Sequence, residues 1–440
     1  MASMNMSTRE FLMVAEAIGQ RICAQAVWHD GRCNWLGMEP LERASRGFQP
    51  AATYRTLGPD LYSGTSGIAL FLAELFVTTG DPSLRRTALG ALQHSFSRVD
   101  AISSSARLGL FSGWFGIALV AARLGLILDE SNLAIQAQQL LQRAFSEQYD
   151  KGEFDVMSGM AGAIAALVVL DPILDSPALI DFAVRLGDEL IESADKDDSG
   201  YSWKSHVFKN HHNLTGYSHG ASGVAHALLE LYDITKISKY YDAARSAFQY
   251  ESHSFDAATA NWPDFRKDPS SPSRKKRTYP CMTYWCHGAP GIALSRIRAF
   301  ELIHDEQCKI EAITALKTTR ESIDSALDTW TGNLSLCHGL TGNAEALIYG
   351  AEILKTESEE NMAMALSVAR MGIERYAGNS AWPCGTHVGE TPNLMLGLAG
   401  IGHYYLRLYQ PAIPSVLILR REVWSKRGTR EPVEIARDVI

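Results

Sequence analysis

The chain has no surplus of positive charge: 41 Lys and Arg stand against 49 Asp and Glu in 440 residues, a net charge of −8 with His neutral. Nucleic acid and anionic membrane are met by clustered cations, so both are set aside as partners. No CxxC pair occurs, which excludes the knuckle on which structural zinc sites are commonly built. The seven cysteines (Cys23, Cys33, Cys281, Cys286, Cys308, Cys337, Cys384) are an odd number without the spacing of a disulfide framework. That usage points to a reducing cytoplasm and to thiols that are mostly buried and inert. Arg9, Glu10 and Glu16 lie in an amphipathic pattern with no basic-then-apolar stretch, so no secretory signal is expected. Long apolar runs are scarce too. Leu108 to Leu128 comes nearest to membrane-spanning length with one charge, Arg123. Its opening, Ser112-Gly113-Trp114-Phe115-Gly116-Ile117, recurs in similar form in plainly soluble surroundings, so a buried helix is expected there and no transmembrane segment.

What the chain does have is an ordinary globular balance, 46% hydrophobic and 20% charged, and 35 glycines. Many of those glycines recur as Gly-x-x-Gly before an apolar run: Gly64/Gly67, Gly113/Gly116, Gly159/Gly162, Gly220/Gly223, Gly288/Gly291, Gly339/Gly342 and Gly397/Gly400. Successive copies lie roughly 45 to 70 residues apart, a period that signals an array of supersecondary units and overrides the usual ~150 residues per domain. Runs such as Ile68-Ala69-Leu70-Phe71-Leu72 and Ile164-Ala165-Ala166-Leu167 are apolar on every side, so they predict inner helices. Amphipathic segments alternate with them, opened by signals such as Asp81-Pro82 and Ser176-Pro177. The spacing predicts one outer helix before each inner one: seven pairs in an all-α, α/α toroid over residues 1–415, with the glycine turns at one rim. Two stretches depart from the pattern. A polar, proline-rich loop from Phe255 to Tyr279 carries the basic run Arg274-Lys275-Lys276-Arg277, and after Ser415 the repeat stops, predicting a tail or short appended helix over 416–440.

Gathering the turns at one rim makes neighbours of residues distant in sequence. Trp285-Cys286-His287-Gly288 and Leu336-Cys337-His338-Gly339 place a thiol and an imidazole at the same point of two successive turns. Zn²⁺ favours such ligands, and catalytic sites keep three protein ligands and an open fourth position. Adjacent Cys and His do not easily reach one ion from a single turn, whereas neighbouring turns converge, so the expected ligands are Cys286, Cys337 and His338. Asp155 and His219 stand beside the glycines of the third and fourth turns; the plainer reading of each is a helix cap. Tyr284 and Trp285 read as wall, His226 as core, and Asn343 and Glu345 as candidate supports for the ligands.

These motifs, with Gly-Tyr-Ser-His-Gly-Ala-Ser-Gly at 216–223, resemble the lanthionine synthetase C-like family, over roughly residues 8 to 415. Asn34-Trp35-Leu36-Gly37 and Leu396-Gly397-Leu398-Ala399-Gly400-Ile401-Gly402 look most like the cyclase domain of class II lanthipeptide synthetases. The resemblance implies an α/α toroid with one zinc on Cys286, Cys337 and His338, and an acid–base histidine at His219 with its aspartate at Asp155. It also implies the reaction: substrate cysteine thiols add to dehydroalanine or dehydrobutyrine of a dehydrated precursor peptide, made by a dehydratase fused or associated. No dehydratase segment precedes the repeats in this sequence, so a free-standing cyclase or half of a larger one is expected. Some relatives carry an arginine four residues before the first zinc cysteine; here Met282 stands there. The alternatives are a glutathione-binding or glutathione-adding protein of the eukaryotic type, and a non-catalytic binding protein with structural zinc.

Overall fold

The computed structural model describes residues 8–40, 52–149, 153–206, 208, 212–266, 279–329, 331–378, 380–386 and 389–427. The basic run from Arg274 to Arg277 and the chain beyond 427 lie outside the described residues. The helices are α1 (Thr8–Ala24), α2 (Thr65–Thr79), α3 (Pro82–Ser97), α4 (Trp114–Ile127), α5 (Ser131–Ser146), α6 (Met160–Leu174), α7 (Pro177–Ser193), α8 (Ala221–Thr235), α9 (Ser238–His253), α10 (Ala289–Ile303), α11 (Glu306–Thr329), α12 (Leu340–Ile353), α13 (Ser358–Tyr376), α14 (Leu398–Tyr409) and the short α15 (Arg421–Trp424). The even-numbered helices α2 to α14 follow the seven glycine turns and form an inner ring, closed where α14 meets α2. The odd-numbered helices α1 to α13 wrap it, giving the seven-pair α/α toroid.

The pairing differs from sequence order in one respect. Each outer helix packs on the inner helix before it, α3 on α2 through α13 on α12, and α1 closes the circle on α14. Connection length is the reason. Only two to four residues join an inner helix to the next outer one, enough for an antiparallel hairpin and little else. Four of these links leave the inner helix through a left-handed residue, Gly80, Asp175, Lys236 or His304. The outer-to-inner links are longer. They carry the glycine turns and, among the described residues, three two-stranded antiparallel sheets: Val27–His29 with Arg32–Asn34, Leu36–Pro40 with Ala52–Thr56, and Asp195–Asp197 with Gly200–Ser202.

Burial follows the apolar pattern. The inner helix α4 accounts for most of the apolar run around Arg123, and no helix among the described residues is long and apolar enough to cross a membrane. The change of composition after Ser415 is not a change of packing. Val416, Leu417, Ile418 and Leu419 are buried, and so is Trp424 on α15.

Candidate metal and acid–base site

The seven turns are tied into a belt. The residue two before the first glycine of each turn exchanges backbone hydrogen bonds with its neighbours: Tyr62 N–H donates to Phe111, Phe111 to Met157, Ser218 to Cys286, Cys286 to Cys337, Cys337 to Met395, and Met395 back to Tyr62, at 2.9–3.3 Å. At the third turn Val156 N–H continues the belt to Ser218 O at 3.2 Å. The second glycine of each pair makes the turn possible by close approach. A Cβ on Gly116, Gly291, Gly342 or Gly400 would lie 1.9–2.0 Å from the carbonyl oxygen of the residue six earlier. Cys286 and Cys337 are therefore the same position of adjacent turns, and the belt sets them side by side.

A cavity of about 210 Å³ opens over this stretch of belt, and all five expected site residues except Asp155 line it. The Cys286 and Cys337 side chains share a hydrogen bond. Accepting it from Cys337, with Arg266 and His219 nearby, holds the Cys286 thiol below its ordinary range, although burial opposes this. Donating it pushes Cys337 well up, with burial adding to the effect. His338 Nε2 lies 3.0 Å from Gly385 O, a bond that only the Nε2–H tautomer makes; the imidazole lone pair is then on Nδ1. Opposite, His219 Nδ1 lies 2.5 Å from Asp155 Oδ2. Asp155 Oδ1 also accepts from Ser158 N–H at 2.7 Å, so one oxygen serves its own turn and the other faces the histidine.

Among the described residues, no three His, Cys, Asp or Glu side chains are drawn together as an assembled metal cluster. The donor chemistry fits zinc nonetheless: two sulfurs joined by a hydrogen bond, and an imidazole whose second nitrogen is already fixed by a carbonyl.

Some residues lay beyond sequence reasoning. Tyr62 lines the cavity and its hydroxyl bonds the Cys337 sulfur; burial first, then the nearby cysteines, keep the phenol protonated. Its position two before Gly64, the counterpart of Cys286, was the available signal. Asp264 and Arg266 enter from the polar loop, where no periodicity marks them. Met282 lines the cavity without contributing charge. Of the secondary candidates, Tyr284 meets His338 edge-on at 5.9 Å, and Asn343 Nδ2 donates to Thr283 O at 3.0 Å. Trp285, expected as wall, is instead fully buried in the core, packed on Phe111 and Tyr217. His226 is buried in α8, 3.2 Å from the Tyr217 hydroxyl. Glu345 is turned to Arg407, away from any ligand-supporting role. A larger groove of about 820 Å³ adjoins the site, sharing Tyr284 and His338 with it and reaching Trp382 and Glu390.

Fold and rim together define an α/α-toroid protein with thiols and imidazoles on neighbouring turns. Residues 55–418 match the family model described as lanthionine synthetase C-like protein, and the chain belongs to that family. It is 25% identical over 364 residues to the lacticin 481/lactococcin biosynthesis protein LcnDR2 of Lactococcus lactis subsp. lactis, covering 80% of this chain and 36% of that protein. The chain thus spans about a third of that relative's length. It is 21% identical over 370 residues to the glutathione S-transferase LANCL1 of Danio rerio, covering 80% and 82%. Among solved structures, nisin cyclase superposes with a TM-score of 0.60 at 16% identity, covering 84% of this chain and 92% of its own, which bears on the fold.

Proposed function

We propose that this protein closes thioether rings, adding a cysteine thiol of a dehydrated ribosomal precursor peptide to a dehydroalanine or dehydrobutyrine of the same peptide. The product is lanthionine or methyllanthionine. The observation that carries this reading is the meeting, around one cavity, of a thiol–imidazole donor set and a histidine–carboxylate pair. Cys286, Cys337 and His338 would hold one Zn²⁺ per chain. A zinc ion there would supply a thiolate at neutral pH from a substrate thiol whose free pKa is about 8.5. The protein's own residues do the rest. Asp155 orients His219 through Nδ1, so Nε2 is the nitrogen that exchanges a proton. Sulfur addition to the alkene leaves an enolate, and His219 gives its proton to Cα; imidazole gains and loses protons near neutral pH. The adjoining groove has room for the peptide on either side of the reacting residues. A dehydratase, fused or associated, supplies the alkene, in keeping with the partial coverage of the lactococcal relative. All seven cysteines are free thiols, which suits work in the cytoplasm.

The zebrafish relative's name supports a second reading, addition of the glutathione thiol to a dehydrated residue. One experiment separates the two. A dehydrated precursor peptide is incubated with the protein, with and without glutathione, then treated with a thiol-alkylating reagent and weighed by mass spectrometry. Ring closure leaves the peptide mass unchanged and the thiol unreactive; glutathione addition raises the mass. Metal analysis should find one zinc per chain, lost in Cys286→Ala and Cys337→Ala. Stoichiometric zinc in either variant removes the ligand assignment, and a peptide that stays fully alkylatable removes the cyclase.

A further inference from the structure

The structure assigns a further catalytic group, and it rests on the cyclase reading: we propose that Arg266 binds the carbonyl oxygen of the dehydrated residue and carries the charge that gathers there when sulfur adds. The reaction sets the requirement. The S–Cβ bond forms as the Cα–Cβ π bond breaks, and the displaced pair moves onto the adjacent carbonyl oxygen as an enolate. The enolate then collapses and takes a proton at Cα, which replaces the one lost by the thiol, so no other reactant is consumed. His219 serves the carbon. The oxygen needs a donor already in place, and a preorganised donor at a developing oxyanion is among the largest single contributions to catalysis.

Arg266 is the one Lys or Arg among the described residues lining the cavity. It is held there by its neighbours. Asp264, fully buried, accepts from Arg266 Nε and Nη2 at 3.0 Å each and from its backbone N–H at 3.0 Å. This fork fixes the guanidinium plane and leaves Nη1 outside it. Asp264 is anchored in turn, its N–H donating to Pro280 O at 2.8 Å, and Pro263 bridges Cys281 on the strand-like segment that runs into Cys286. The guanidinium also lies 5.8 Å over the Phe208 ring, whose edge meets His219 at 5.3 Å. Arginine and general acid are thus fixed on one frame on either side of the position where the alkene must sit. A side chain 21% exposed, in a cavity wall, is placed to touch a substrate and not to hold up the core.

The test uses the zinc-loaded protein and a synthetic peptide with one dehydroalanine and one cysteine, reading ring closure against the spontaneous rate. Acceleration by the wild type upholds the cyclase reading, and its absence removes that reading and this one together. Given acceleration, Arg266→Gln should lower kcat by about 10²–10³ with KM changed less than about threefold. Arg266→Ala should regain activity with added guanidinium ion. A second readout needs no turnover: a peptide phosphinate, mimicking the enolate oxygen, should bind the wild type at least tenfold more tightly than Arg266→Gln, at equal zinc content. If Asp264, left without its partner, unfolds the single variant, Asp264→Asn/Arg266→Gln takes its place. Wild-type acceleration with kcat in the variant within threefold of it, or equal phosphinate affinity, overturns the role of Arg266 and leaves the cyclase standing.

Discussion

One carboxylate does two things beside the candidate metal centre. Asp155 caps its own turn through Ser158 N–H and orients His219 through the other oxygen, so the imidazole is aimed by a group that cannot swing without disturbing the turn. On the cyclase proposal His219→Ala removes the acid alone, because the His219 ring reaches the cavity without filling the core. Ring closure should fall by on the order of 10²–10⁴, with zinc content and melting temperature unchanged. Unaltered cyclisation in a kinetic assay would mean the histidine is structural. Four of the seven thiols, Cys33, Cys308, Cys337 and Cys384, are buried, and burial pushes Cys33 and Cys308 up to about 12 and Cys384 up to about 11. Cys286 alone of the seven is lowered, by its bond from Cys337. This contrast was legible in sequence only as position. Cys286 and Cys337 each stand two residues before the first glycine of a Gly-x-x-Gly turn, whereas Cys33, Cys308 and Cys384 do not.

At the scale of the turn, glycine is required for two different reasons. Most second glycines admit a carbonyl oxygen, but Gly288, the first glycine of the Cys286 turn, also has φ +93. A Cβ there would stand 1.6 Å from Met282 O, in a backbone region that L-residues rarely enter. Gly288→Ala should therefore cost upwards of about 3 kcal/mol and weaken zinc binding, because Cys286 hangs on the same turn. Gly80→Ala is the control: φ is +77 at the end of α2, the added methyl meets open space, and the cost should stay near 1 kcal/mol with zinc unaffected. Urea denaturation with metal titration of both variants measures the contrast. The same scale shows what the sequence could carry. Glycine spacing and apolar runs made the seven turns, the inner ring and the neighbouring Cys-His pairs readable, since each is a local pattern repeated. The one-step shift in outer-helix pairing was not, because it depends on the short inner-to-outer links compared with the long returns. Arg266 and the Gly385 carbonyl were hidden for a related reason: each comes to the rim on a loop outside the repeat.

Across the whole molecule, the end of the barrel away from the turns is closed by charge and by the final described segment. Glu74, Arg123, Glu230, Arg298 and Arg407 are each the tenth residue of their inner helices. They form buried pairs: Arg123 with Glu74 at 2.7 Å, Arg298 with Glu230 at 2.5 Å, and Arg407 with Glu345. Residues 411–427 dock on these arginines. Arg123 Nη1 donates to Trp424 O at 2.9 Å, Arg407 Nε to Ile413 O at 2.9 Å, and Arg298 pairs with Glu422 at 3.0 Å. From there Leu417 O reaches Trp285 Nε1 at 3.0 Å, one residue from Cys286, so the plug and the rim share a hydrogen bond. Burial alone would raise the Glu230 carboxyl, but Arg298 and His226 outweigh it and hold it at about 2. A carboxylate lowered in the folded state stabilises above its ordinary value near 4.5 and loses that contribution as pH falls towards 2. Glu230 should thus account for about 3 kcal/mol of acid sensitivity in that window, seen as a flatter urea midpoint against pH in Glu230→Gln. Arg123→Met gives the sharper measurement. It strands a buried Glu74 and leaves the Trp424 carbonyl without its donor, so the loss should reach about 3–5 kcal/mol. Adding Glu74→Leu removes the stranded charge and should recover most of it, because the cost lies in an unpaired ion and not in the absence of an ion pair. A double variant no more stable than Arg123→Met would instead place the stabilisation in the docking of the plug.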